Sequence, residues 1–411
     1  MKPASQTEEQ IAGHHDLNRT DQPESLARPA AHLIASIRGA LPGPTLIILG
    51  GIHGNEPAGV LAAERVWLRM QKRRAALRGE VVLLRGNTRA LEQRVRYINA
   101  DLNRQWTTEN VRAAELERGT PEVSELLEQR ELLTVIREAI NRARGEIYFV
   151  DLHTTSAQGQ PFATVGDTLR NRHFALAFPL TIVLGLEEQI DGTLLEYVNN
   201  RGAITMGVEA GQHEAMTSVD NHEAVIWIAT AATGNFRRED LPELDQSRSV
   251  LKRASGGTKV VEVRHRQAIV PEDHFKMEPG FRNFQAVRRG KVLARDRAGA
   301  IKASETGLIL MPLYQALGDD GFFLVREVKR FWLTLSALLR KLKVGHYMHL
   351  LPGVRRDPLN ENFLIINTRI ARILPLQVFH LLGFRRLRWT DKYLVVSRRS
   401  YDLVRPAKFV F

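Results

Sequence analysis

The sequence predicts an α/β protein: a layered domain around a mostly parallel central sheet, then a small all-β domain and a basic α+β tail. Up to about residue 240, continuous apolar runs of strand length alternate with helical patterns, as expected when helices cover both faces of a sheet. After about Gly234, short β-branched runs alternate with turn signals instead. At 411 residues, 44% hydrophobic and 25% charged, the chain has room for two or three such units.

Residues 1–44 read as a flexible lead-in and one partial element, closed by a turn at Pro42-Gly43-Pro44. The α/β domain is expected over residues 45–240. Its first strand is the unbroken apolar run Thr45 to Leu49, ended by Gly50-Gly51. Similar runs occur at Glu80 to Leu84, Ile147 to Asp151, Thr181 to Leu184 and Ala203 to Val208. Helical patterns lie between them, notably Pro57 to Met70 and Pro121 to Arg144, the latter carrying Leu126, Leu127, Ile136 and Ile140 at near-helical spacing. The β-rich domain is expected over 257–326, punctuated by Glu278-Pro279-Gly280, Arg289-Gly290 and Ala298-Gly299. In the tail, 327–411, Phe331, Trp332, Leu335, Leu338, Leu339 and Leu342 outline an amphipathic basic helix, and Tyr393 to Ser397 a late strand.

Composition narrows the chemistry. With no cysteine, disulfides, thiolate ligands and a Cys nucleophile are excluded, so a metal must be held by His and carboxylates. The polar N-terminus has no apolar core of a secretory signal, and no run of about 18 apolar residues occurs, so a cytoplasmic location without a transmembrane segment is expected. The net charge of +12 is not spread along the chain: residues 329–411 hold 17 Lys and Arg against 4 Asp and Glu. Nucleic-acid or anionic-membrane contact would therefore have to run through the tail. The preferred reading there is that the apolar stripe packs on the protein or a second subunit and the charges form a solvated face.

Four motifs carry chemistry. Gly50-Gly51-Ile52-His53-Gly54-Asn55-Glu56 stands where a buried strand ends and a helix begins, the usual place for a ligand site in an open α/β sheet. Gly51 and Gly54 permit a backbone tight enough for His53 and Glu56 to reach one ion. A second strand, Tyr148 to Leu152, runs into Asp151 and His153. Two His and one Glu leave a fourth position open for water, the ligand set of a catalytic zinc, and Asp151 suits a role behind His153. Gly207-Val208-Glu209-Ala210-Gly211 ends a third apolar run with a carboxylate able to take and return a proton. Arg96-Tyr97-Ile98-Asn99-Ala100-Asp101-Leu102-Asn103-Arg104 is dense in groups that bind carboxylates and oxyanions. Alone, each motif also has an ordinary structural reading as a capping, strand-ending or salt-bridging group.

Together, in this order and spacing, the four resemble the succinylglutamate desuccinylase and aspartoacylase family, relatives of the zinc carboxypeptidases, over roughly residues 45–326. The resemblance implies one zinc per chain held by His53, Glu56 and His153, with Glu209 as general base and acid. It implies that Arg96 polarises the scissile carbonyl, that Asn103 and Arg104 grip the amino acid's carboxylate, and that the β domain helps wall the pocket. The implied activity is hydrolysis of the amide bond of an N-acyl amino acid, a carbon–nitrogen bond other than a peptide bond, releasing a carboxylic acid and a free amino acid. Aspartoacylase itself has an Arg ten residues before the Glu; Asn199 stands there in this chain, with Arg201 nearby. The family's β-domain Tyr has no clear counterpart, Tyr314 being the nearest. A metallocarboxypeptidase acting on peptide C-termini, and a binding protein acting through the tail, are the alternatives; a homo-oligomer is left open.

Overall fold

In the computed structural model, the chain is described over residues 31–116, 123–367, 369–370, 376–389, 392–406 and 409. The lead-in expected before residue 31 lies outside them. Strands β1 (Leu33–Arg38), β2 (Leu41–Gly50), β3 (Arg78–Arg85), β4 (Ile147–Thr155), β5 (Phe162–Val165), β6 (Thr181–Leu184), β7 (Ile204–Gln212) and β8 (Val260–Ala268) build the first part of one sheet. Helices α1 (Ala58–Lys72), α2 (Thr88–Gln93), α3 (Thr108–Leu116), α4 (Ser124–Arg142), α5 (Leu169–Ala175), α6 (Leu194–Asn199), α7 (Met216–Ala232) and α8 (Leu244–Ser255) connect and cover them.

Alternation along β2 shows why the layers form. Leu46 and Ile48 join a core with Val66 and Met70 of α1 and Trp227 of α7, whereas Ile47 and Leu49 join a second core with Leu132 and Ile136 of α4. Both sets are fully buried, so every residue of the run is apolar, as in strands covered on both faces. β2 pairs in parallel with β3 and β4, and β4 with β7, which brings the carboxyl ends of three strands together.

The Pro42-Gly43-Pro44 segment is a bulge inside β2 rather than the expected turn. Leu41 pairs with Arg78 and Thr45 with Glu80, so three residues stand opposite Gly79 alone. Two prolines remove ladder donors there without ending the strand.

Further along come β9 (Lys276–Met277), β10 (Gln285–Val287), β11 (Val292–Asp296), β12 (Gly299–Lys302), β13 (Gly307–Leu310) and β14 (Asp320–Glu327). The β-rich region joins the central sheet edge-on: the eleven strands run β1-β3-β2-β4-β7-β5-β6-β8-β14-β13-β10, while β9, β11 and β12 form a small sheet of their own. Beyond it, α9 (Arg330–Lys341), β15 (Val354–Arg356), β16 (Phe363–Asn367), α10 (Leu376–Leu381), β17 (Phe384–Trp389) and β18 (Tyr393–Arg398) make a C-terminal module around an antiparallel four-stranded sheet. It has its own core, including Leu364, Ile366, Phe379, Phe384 and Val396.

Ion pairs fasten this module to the α/β domain. Arg340, its side chain 1% exposed, reaches Oδ2 of Asp167 in the α/β domain at 2.8 Å and, within the module, Oδ1 of Asp402 at 3.2 Å. Arg399 lies 2.6 Å from both Glu187 and Glu188, and Arg385 pairs with Glu196. Part of the tail's basic excess is thus spent inside the molecule.

Candidate active site

The loop after β2 brings His53 and Glu56 back towards the sheet. Gly51 adopts a left-handed φ of +73°, and Gly54 lies so close to α2 that a Cβ on it would stand 2.1 Å from the Ala90 carbonyl carbon. Nδ1 of His53 is 2.9 Å from Oε1 of Glu56. From β4, Nδ1 of His153 is 3.3 Å from the other oxygen, Oε2. The ligand atoms of His53, Glu56 and His153 all lie within 4.8 Å of one another, and all three residues are buried.

The far side of each ring faces a carboxylate. Nε2 of His53 is 3.1 Å from Oδ1 of Asp101, and Nε2 of His153 is 3.0 Å from Oδ2 of fully buried Asp151. Metal-bound histidines are oriented in this way, one nitrogen inward and the other held by a carboxylate. The donor set therefore fits a divalent metal.

Charge balance in this cluster follows from burial opposed by neighbours. Burial pushes Glu56 up, but His53 and His153 hold it well below the ordinary carboxylate range. Asp101 is likewise held far down by His53, Arg96 and Arg104 against its burial. Glu209 goes the other way: burial pushes it up to about 8, with Glu56 and Asp151 adding to the shift and His153 and Arg96 opposing it. Parallel register places Glu209 beside His153 across β4 and β7, and its Oε2 has no hydrogen-bond partner among the described residues.

Arg96 lines the same cavity, 2.9 Å from Asp101 and 3.7 Å from Glu56. Asn103 is there as well; its Oδ1 accepts from the Leu194 backbone N–H, which fixes the amide. Arg104 lines the cavity and lies 3.6 Å from Asp319 of the β-rich region. All eight residues expected at the site therefore converge, with Asp151 behind the rest.

Other site residues carried no clear sequence signal. Asp101 lies inside the Arg-rich motif, yet nothing in the spacing assigns it to His53. Glu125 on α4 is fully buried and accepts from the backbone N–H groups of Ile98, Asn99 and Ala100 at 2.7, 3.0 and 3.2 Å, shaping the loop that delivers Asp101. Gln315 accepts from Asn55 and lies 3.0 Å from His213, tying the β-rich region to the cavity wall. Tyr314 beside it is turned away, its hydroxyl bonded to Phe281 N–H and the Glu278 carbonyl. Asn199 lines the cavity, whereas the Arg201 guanidinium stacks 3.5 Å from the Tyr197 ring centroid. Asn362, Phe363 and Arg398 of the C-terminal module also reach the cavity, whose volume is about 360 Å³.

Residues 42–229 match the family described as succinylglutamate desuccinylase/aspartoacylase catalytic domain. Over 151 residues the chain is 29% identical to an N-acyl-aromatic-L-amino acid amidohydrolase (carboxylate-forming) of Xenopus laevis, covering 34% of this chain and 47% of that relative. The chain thus spans about half the length of that curated relative. A succinylglutamate desuccinylase of Chromobacterium violaceum is 24% identical over 294 residues, 69% of this chain and 82% of its own. Among solved structures, a succinylglutamate desuccinylase/aspartoacylase from Rhodobacter sphaeroides is similar to this chain in fold, with a TM-score of 0.54 and 20% identity over 72% of this chain and 88% of that one.

Proposed function

We propose that this protein is a zinc-dependent amidohydrolase that cleaves the amide bond of an N-acyl amino acid. The observation that carries the reading is the convergence of His53, Glu56 and His153, both histidines backed by carboxylates, on a cavity that also holds Glu209 and Arg96. The names of the relatives support the substrate class.

His53, Glu56 and His153 would hold the zinc, which when bound lowers the pKa of a water and draws electron density from the scissile carbonyl. Glu209, whose ionised form a cation held by His53, Glu56 and His153 would favour, takes one proton from the water as the water's oxygen bonds to the acyl carbon. The Arg96 guanidinium donates to the carbonyl oxygen as charge gathers there, and Asp101 keeps that guanidinium in place. Glu209 then returns the proton to the nitrogen as the carbon–nitrogen bond breaks, leaving a carboxylic acid and a free amino acid. Asn103 and Arg104 grip the α-carboxylate, which fixes the amide against Glu209.

The cavity wall supports a compact substrate. Gln315 from one side and Asn362 and Phe363 from the C-terminal module limit how far a chain could extend, and a volume of about 360 Å³ is at the small-molecule end of ligand pockets. With Asn199 where aspartoacylase has Arg, the acyl amino acid need not carry a second carboxylate. The test is release of free amine from a panel of N-acetyl, N-succinyl and aromatic N-acyl amino acids, with C-terminal peptides as controls. Turnover of some acyl amino acid above the peptides supports the assignment; turnover of peptides alone moves it to a carboxypeptidase.

A further inference from the structure

Most of the apolar stripe on α9 faces away from the protein, while Leu339 packs on the C-terminal module's core. The residues α9 buries are Ser336, which donates to the Leu381 carbonyl, and Arg340, which reaches Asp167 and Asp402. On the opposite side Phe331, Leu338 and Leu342 are 66%, 53% and 63% exposed; Trp332, one turn before Ser336, is still 46% exposed, and the Phe331 and Trp332 rings meet edge to face at 5.2 Å. Spacings of four, seven and eleven residues put Phe331, Leu335, Leu338 and Leu342 on one line. Just after the helix, Tyr347 and Leu350 are 65% and 71% exposed. The expected packing of the stripe against the molecule therefore holds for Leu339 but not for Phe331, Leu338 and Leu342, because Ser336 and Arg340 occupy the inward face.

Charge singles out the occupant. From Lys329 to Arg356 the chain has seven basic residues and no acidic one. Arg340 is used internally, and Lys329, Arg330, Lys341, Lys343, Arg355 and Arg356 are exposed. Apolar and aromatic side chains ringed by long cationic ones match an interface in which the rings enter the acyl boundary and the ammonium groups stay among phosphates. A second copy meeting this face across a two-fold axis would set the same cations against each other. Nucleic acid would leave the aliphatic Leu338, Leu342 and Leu350 unmatched, since they neither pair nor stack with bases.

We propose that the outward face of α9 and the turn after it form a docking surface for an anionic phospholipid membrane. It is a peripheral contact: among the described residues no helix is long and apolar enough to cross a membrane.

The test is co-sedimentation of the full chain with vesicles of phosphatidylcholine containing phosphatidylglycerol, against pure phosphatidylcholine. The protein should sediment with the anionic vesicles and be released by salt. Both F331S/W332S and K341E/K343E should lower the partition at least about tenfold, because the apolar and the charged contributions are each needed. These side chains are exposed and none of them lines the cavity, so amidohydrolase activity reports that the variants fold. Equal sedimentation with both vesicle types, no sedimentation with either, or displacement by duplex DNA in place of lipid would overturn the proposal. So would a stripe variant that converts a dimer to a monomer without altering lipid partition.

Discussion

Oδ1 of Asp101 lies 3.1 Å from Nε2 of His53 while its Oδ2 lies 2.9 Å from the Arg96 guanidinium, so one carboxylate holds both the proposed metal ligand and the group proposed to face the substrate carbonyl. Asp101→Asn keeps the shape but loses the charge on both sides. We expect zinc affinity, measured by competition with a chromogenic chelator, to fall roughly 10- to 100-fold, the usual effect of removing such a partner. An unchanged affinity would mean that His53 is oriented by the fold alone.

Glu125 controls the same loop from further away. Removing its carboxylate leaves the part-buried N–H groups of Ile98, Asn99 and Ala100 and the buried Asn87 amide without their acceptor. Glu125→Ala is expected to lower unfolding free energy by about 1–3 kcal/mol in denaturant titration, the cost of leaving a buried donor unpaired. It should also reduce kcat more than KM, because the loop carries Asp101 and Arg96.

Docking of the C-terminal module is predicted to depend on pH through Asp167. Burial pushes that carboxyl up, but Arg172 and Arg340 overcome it and hold the group far below its ordinary value of 3.8. A carboxylate so lowered stabilises the fold at pH above 3.8, and the contribution is lost as pH falls below it and the unfolded chain takes up the proton first. In Asp167→Asn the decline in stability on acidification below that value should be shallower than in the wild type, and stability at neutral pH lower. Thermal melts across that range check both.

Arg340 tests the docking independently of pH. Its replacement by Met leaves Asp167 with less compensation in a buried setting, and breaking a buried pair from one side costs about 3 kcal/mol or more. Protease susceptibility of the segment after Glu327 should rise in Arg340→Met.

Much of the fold could be read from periodicity. Strands buried on both faces spell themselves out as unbroken apolar runs such as Thr45 to Leu49, and the parallel order follows from the helices between them. The proposed ligands His53, Glu56 and His153 stood out in the sequence because they sit at the ends of those runs. What could not be read depends on tertiary partners. Phe162–Val165, four residues long, is too short to announce itself as β5, and it lies antiparallel to β7 and parallel to β6. Glu125 resembles any other helix Glu until the loop that it serves is folded over it. The α9 stripe was legible as a stripe, but its direction was set by Arg340 and Asp167, which lie far apart in sequence. Pro42-Gly43-Pro44 has turn composition, yet the flanking register keeps it within a strand.

The central claim is that His53, Glu56 and His153 hold a zinc at which Glu209 moves the proton. The most direct measurement is zinc content and amine release on the same preparations of wild type and Glu209→Gln. The account predicts one zinc per chain in both, and turnover of an N-acyl amino acid that falls by about 100-fold or more in the variant. A protein that carries no zinc, or a Glu209→Gln variant that turns over at the wild-type rate, would contradict it.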